Sequence, residues 1–172
     1  MRKFKLTQTP MQQLSITTTE YKSCAITGHR DLPKNLSREK VKADLRELIQ
    51  SGVQYFYNGL AVGFDLLTAE ILVELKVEFP NLQLCGCIPF HGQERYYSAE
   101  DKSRYYKVLK ECDDTVVFNA EYQRGCYFTR NDYMVDKADL LFAYCLSKSG
   151  GAAYTLRAFQ KKKGKENVRF FV

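Results

Sequence analysis

The sequence predicts an α/β domain built on a mainly parallel sheet with helices on both faces. Short apolar runs of strand length recur at intervals of about 25 to 32 residues, the repeat expected of strand–helix units. The longer segments between them carry apolar residues at helical spacing. No two neighbouring runs are joined by a two-residue hairpin turn, so consecutive strands have to be linked by crossovers.

Residues 23–27 form the first apolar run. Ser37 can then cap a helix that lines up Val41, Leu45, Leu48 and Ile49 on one face and stops near Gly52. Residues 55–58 make the second strand, and Asp65 can cap a helix through Leu66, Ala69, Leu72, Val73 and Leu75 that ends before Pro80. A third strand over 82–88 precedes a helix over 99–111, in which Tyr105, Val108, Leu109 and Cys112 fall at helical spacing. Strands over 114–118, 140–145 and 168–172 alternate with helices over 128–137 and 152–163. Alternation of this kind gives a doubly wound, Rossmann-like fold, whose ligands sit beyond the carboxyl ends of the strands. The single domain spans 23–172. Residues 1–22, rich in Thr and Gln and without periodicity, read as an N-terminal extension, flexible or loosely attached.

Composition agrees with one ordinary globular domain: 172 residues, of which 45% are hydrophobic, suffice for a sizeable core. No apolar run approaches the eighteen or so residues that a membrane span needs, and the N-terminus lacks the apolar core of a secretory signal. The expected location is therefore the cytoplasm, with no membrane partner. Of six cysteines, Cys24, Cys85, Cys87, Cys112 and Cys145 lie in or beside apolar segments, as buried reduced thiols do. No histidine or second pair stands at zinc spacing from Cys85 and Cys87, so no metal is expected. Cys126, in a polar stretch, is the candidate reactive thiol. The net charge of +6 favours an anionic ligand. The densest cations, Lys161, Lys162, Lys163 and Lys165, complement a helix C-terminus, and aromatics do not alternate with them, which makes nucleic acid an unlikely partner.

Candidate chemistry lies in the loops after the strands. Gly28 lets the first loop turn sharply towards a ligand, with His29 beside it and Arg30 able to reach a phosphate; the same residues also suit a plain turn with an exposed arginine. In the second loop Asn58, Gly59 and Gly63 precede a helix and could gather N–H groups towards an anion, but no Lys-Ser/Thr follows, so this is not a Walker loop. Asp65 would repel a phosphate there, which leaves it as a helix cap or as an acceptor for ribose or base groups. Glu70, one turn on, faces either the pocket mouth or solvent. Phe90 could stack on a base, although packing explains it equally well. Arg130 at the start of a helix is electrostatically misplaced unless a bound anion supplies the counter-charge, and Asn131 follows it. The last loop offers Ser149, Gly150, Gly151 and Thr155 as a phosphate cradle ahead of a helix. Neither histidine has a partner at a triad spacing.

In their order and spacing, Thr27-Gly28-His29-Arg30, Asn58-Gly59-x3-Gly63-x-Asp65, Pro89-Phe90, Arg130-Asn131-x2-Met134 and Ser149-Gly150-Gly151-x3-Thr155 resemble the SLOG superfamily. These Rossmann-like proteins include the cytokinin-activating LOG enzymes and the DNA-processing protein DprA. The resemblance covers residues 22–172 and is strongest to the small bacterial YpsA/YspA-like branch. It implies binding of a nucleotide or nucleotide derivative such as AMP, NAD or ADP-ribose, with no cofactor required, and it makes a homodimer and a protein partner natural expectations. The LOG phosphoribohydrolases also carry a glutamate three residues beyond the threonine of their glycine motif; here that place falls on Arg157 or Ala158. N-glycosidic cleavage needs such a carboxylate. The expectation is a ligand sensor or regulatory protein, ahead of a nucleotide N-glycosidic hydrolase, with DprA-like single-stranded DNA binding third.

Overall fold

In a computed structural model, the described residues are 21–172. They form one six-stranded, all-parallel sheet in the order β4-β3-β2-β1-β5-β6. The strands are β1 (Ser23–Gly28), β2 (Tyr55–Asn58), β3 (Gln83–Ile88), β4 (Asp114–Val117), β5 (Leu140–Tyr144) and β6 (Val168–Phe170). Five α-helices connect them: α1 (Arg38–Gln50), α2 (Phe64–Leu75), α3 (Ala99–Glu111), α4 (Cys126–Lys137) and α5 (Gly151–Lys163). The fold is the expected α/β, Rossmann-like one.

The chain steps outward from β1 to β4, then crosses back over the sheet and continues from β5 to β6. That reversal determines which helices lie on which face, because each crossover keeps the same hand. Helices α1 to α3 bury Val41, Leu45, Leu72 and Val108 with Cys24, Ile26, Phe56 and Phe142 on one face. On the other, α4 and α5 bury Met134, Val135 and Phe159 with Ala25, Cys87, Leu141 and Ala143. Strand side chains alternate between these two cores, so a strand such as β5 is buried along its whole length. Its continuous apolar run in the sequence has that cause.

Two helices start differently from the expectation. The residue before α2 is Gly63, with no side-chain cap, and Asp65 lies inside the first turn. Helix α4 begins at Cys126, two positions before the expected start, and Cys126 is buried. Burial removes the exposure that a reactive thiol needs. The expected extension falls outside the described residues except for Tyr21 and Lys22. Tyr21 packs against the larger core and donates its hydroxyl to Asn167 Oδ1 at 2.6 Å. The carbonyl of Lys22 accepts from the N–H groups of Gln54 and Tyr55.

Candidate functional site

The strand order reverses between β1 and β5, so the loops leaving their carboxyl ends part and leave a crevice. A cavity of about 710 Å3 opens there. Its floor is made by Ile26, Thr27, Gly28 and Met134, and its walls by the loops before α2, α4 and α5.

Arginine dominates the lining. Arg30, Arg124, Arg130 and Arg157 face the cavity from four different segments, against one carboxylate, Asp65. Arg130 is buried and held on both sides of its guanidinium. Its Nη1 donates to the carbonyls of Gly59 at 2.8 Å and Cys87 at 3.3 Å, and its Nε to Asn131 Oδ1 at 2.6 Å. Nη2 has no hydrogen-bond partner among the described residues, which leaves it for the cavity. Tyr127 lies beside both inner arginines, its ring 5.7 Å from the Arg30 guanidinium carbon and 6.0 Å from that of Arg130. Cation–π attraction of this kind orients two like charges that would otherwise splay apart.

Asp65 is buried at the base of the same wall. Burial pushes its carboxyl up to about 6, against the pull of Arg130, the Ala61 N–H, Arg30 and the Gly28 N–H. A carboxylic acid tuned towards neutrality can accept from a sugar hydroxyl or exchange a proton with a ligand.

The last wall is the start of α5. Gly150 precedes the helix with φ 89° and no side-chain cap, and Gly151 opens it. Ser147 Oγ accepts the Ser149 N–H, and Arg157 Nη1 donates to the Lys148 carbonyl at 2.8 Å, which shapes the loop from behind. Gly150, Gly151 and Ala152 line the cavity, so the positive end of the α5 dipole lies at this wall.

Of the residues read from the sequence, Gly28, His29, Arg30, Asp65, Arg130, Asn131, Ser149, Gly150 and Gly151 line this cavity. The others lie elsewhere. Asn58 is buried and organises its own loop, donating to the Asp65 carbonyl and Thr68 Oγ1 and accepting the Leu60 N–H. Gly59 and Gly63 serve close packing: a Cβ on Gly59 would lie 2.0 Å from Arg130 Nη1, and one on Gly63 2.2 Å from the Arg30 carbonyl oxygen. Glu70 does not line the cavity; half-buried at the surface, it forms a paired salt bridge with Arg104 of α3, both contacts at 2.8 Å. Phe90 packs edge-on behind the wall against Tyr122 and Tyr127. Thr155 Oγ1 donates to the Gly151 carbonyl within α5, its side chain buried.

Reading the loops singly missed Tyr122, Arg124, Tyr127, Phe128, Tyr154 and Arg157, which also line the cavity. Phe128 and Tyr154 meet in a tilted contact with ring centroids 4.6 Å apart, bringing α4 and α5 together at the rim. The alternation Tyr122-x-Arg124-x2-Tyr127-Phe128-x-Arg130 stands in the sequence and was the signal that could have found the rim; the fold adds Tyr154 and Arg157 of α5 to it around the cavity. Among the described residues no cluster of His, Cys, Asp and Glu could hold a metal ion, and no helix is long and apolar enough to cross a membrane.

Fold and site together define a Rossmann-like α/β protein with an arginine-lined crevice at its topological switch point. A sequence model of the YpsA family, described as the YspA SLOG family, matches residues 16–172, and the chain belongs to that family. The chain is 28% identical over 156 residues to a UPF0398 protein of Halalkalibacterium halodurans, covering 88% of this chain and 82% of that one. It is 26% identical over 163 residues to a UPF0398 protein of Bacillus cereus, covering 87% and 89%. Among solved structures it resembles DNA processing protein A of Helicobacter pylori, described for its single-stranded DNA binding mode. The TM-score is 0.60 at 19% identity, with 87% of this chain and 64% of that chain covered.

Proposed function

We propose that the chain binds a phosphate-bearing nucleotide derivative in this crevice and serves as a sensor or regulatory protein. The observation that carries the proposal is the convergence of four arginines around a single carboxylate, with aromatic rings at the rim. Guanidinium groups and uncovered helix N–H groups suit phosphate, Asp65 suits a ribose hydroxyl, and exposed Tyr122 and Phe128 suit a base. Binding without turnover fits the place of Arg157 and Ala158, where the resembling hydrolases carry a glutamate. Calorimetric titration with AMP, NAD and ADP-ribose tests the reading. At least one should bind, and Arg157→Ala should weaken it about tenfold, the worth of one charge-assisted contact. No heat from any of the three would overturn the proposal.

One observation favours a second reading. The carboxyl of Asp65, pushed up to about 6 inside the cavity, is a group that N-glycosidic hydrolysis could use. Release of free adenine from AMP, abolished by Asp65→Asn, would establish it. The aromatic and basic rim also keeps single-stranded nucleic acid among the ligands to be tried, and salt-dependent retention on an oligonucleotide would reveal it.

A further inference from the structure

His29 ties together by polar contacts three segments at the crevice, two of which also meet through the packing of Phe64 on Tyr144. Its carbonyl accepts the Phe64 N–H at 3.0 Å, which fixes the start of α2. Its imidazole Nε2 accepts the N–H of Leu146 at 2.7 Å, which fixes the loop between β5 and α5. The ring is set edge-on against Tyr144, with centroids 5.5 Å apart. An imidazole nitrogen that accepts a backbone N–H carries no proton, so His29 is neutral in this arrangement, with its hydrogen on Nδ1.

The loop that it holds has little else to fix it. Leu146 is 75% exposed, and Ser147, Lys148, Ser149, Gly150 and Gly151 are exposed as well. No apolar side chain of the loop is buried in either core. Hydrogen bonds do the fixing: His29 at one end, Ser147 Oγ within, and Arg157 on the Lys148 carbonyl at the other. If His29 gains a proton, Nε2 becomes a donor facing another donor, and the first of these ties is lost.

We propose that His29 is a positioning residue whose neutral imidazole locks the β5–α5 loop, and that protonation of the ring releases the loop and the helix start it presents. The effect on ligand rests on the binding reading above; the lock itself does not. The charged and titratable groups around the ring and the crevice are Arg30 and Asp31 on its own loop, Asp65 on α2, Arg124 before α4, Arg130 on α4, Tyr144 on β5 and Arg157 on α5.

The test uses the full chain and two readouts. Amide hydrogen-exchange protection across residues 146–151, measured by NMR, should fall about tenfold between about pH 8 and pH 5, the window in which imidazoles change charge. His29→Gln places an acceptor oxygen near the same point without titrating, and should keep protection at both pH values. His29→Ala should lose it at both. Asp65→Asn should leave the acid response in place, which separates the histidine from the neighbouring carboxyl. Unchanged protection in His29→Ala, or an acid response that persists in His29→Gln, would overturn the proposal. ADP-ribose titrated into the native chain and into His29→Gln gives the second readout. Its affinity should fall on acidification in the native chain and hold in His29→Gln. Should ADP-ribose not bind while protection behaves as described, the lock stands and the binding reading fails.

Discussion

Gly63 and Gly150 occupy the same position in α2 and α5. Each is the residue before the first helical turn, their φ angles are 92° and 89°, and neither helix has a side-chain cap. Their surroundings differ. A Cβ on Gly63 would lie 2.2 Å from the Arg30 carbonyl oxygen and 2.4 Å from that of His29, whereas one on Gly150 would meet nothing within 4 Å. At Gly63 the missing side chain lets two loops touch and close the base of the crevice. At Gly150 it leaves a helix start uncovered. Glycine ahead of a helix therefore has two physical meanings at this sheet end, closure and access, and only packing tells them apart.

The sharpest way to break that comparison is to add the same methyl group to both. Gly63→Ala suffers backbone strain and a collision with main chain that cannot swing away. It should cost about 4 kcal/mol or more of unfolding free energy, measured by urea titration. Gly150→Ala suffers the strain alone and should cost about 1–3 kcal/mol. Equal losses would mean that Gly150 is also a packing glycine, and the distinction would fall.

Arg130 sharpens the comparison from the closed side. Its Nη1 holds the Gly59 carbonyl in the space that a Gly59 side chain would need. Replacing it with methionine keeps the length but removes bonds to two buried carbonyls and the cation nearest the buried carboxyl. Arg130→Met should destabilise the chain by about 3 kcal/mol. Asp65 should then titrate higher still, visible as a shifted carboxyl resonance in NMR.

Asp65 makes the closed side sensitive to pH. Its folded value of about 6 lies above the ordinary 3.8, so between those values the folded state holds a proton that the unfolded chain has released. Stability from this group therefore falls as pH rises from about 4 to about 6, and the cost is complete above that window, on the order of 3 kcal/mol. Asp65→Asn should remove this slope, so urea midpoints of the variant and the native chain should move apart as the pH rises through the window. Parallel curves would show that burial does not govern this carboxyl.

Much of the closed side was legible in the sequence because it is local. A strand buried on both faces leaves a continuous apolar run, as Leu140–Tyr144 does, and a helix on one face leaves Val41, Leu45 and Leu48 at helical spacing. Ser37 and Ser98 cap α1 and α3 through their side chains, and the first was readable in advance. The helix that Asp65 was expected to cap instead has Gly63 at the cap position before Phe64, because the approach of the Arg30 loop leaves room only for glycine. That constraint comes from a segment far away in the chain. The rim was harder to read for the same reason. Tyr122 and Arg124 come from the loop before α4, Tyr127 and Phe128 from its first turn, and Tyr154 and Arg157 from α5. Tyr122, Arg124, Tyr127, Phe128 and Arg130 do alternate ring and charge along the chain; that Tyr154 and Arg157 of α5 join them follows only once β5 has returned to pair with β1.

The smallest expected change in stability belongs to the open side. Arg124 is exposed, lines the cavity and makes no ion pair or side-chain hydrogen bond among the described residues. Its charge offsets no buried group, so nothing in the fold requires it. Arg124→Ala should leave the urea midpoint within the range of an ordinary surface change, about 0.5 kcal/mol. An arginine with that freedom on a chain of net charge +6 adds to repulsion among its neighbours unless an anion joins them. The same variant should therefore weaken binding of ADP-ribose several-fold, with the larger loss at low salt, where screening is least. Loss of stability without loss of binding would reverse the assignment and place Arg124 with the closed side.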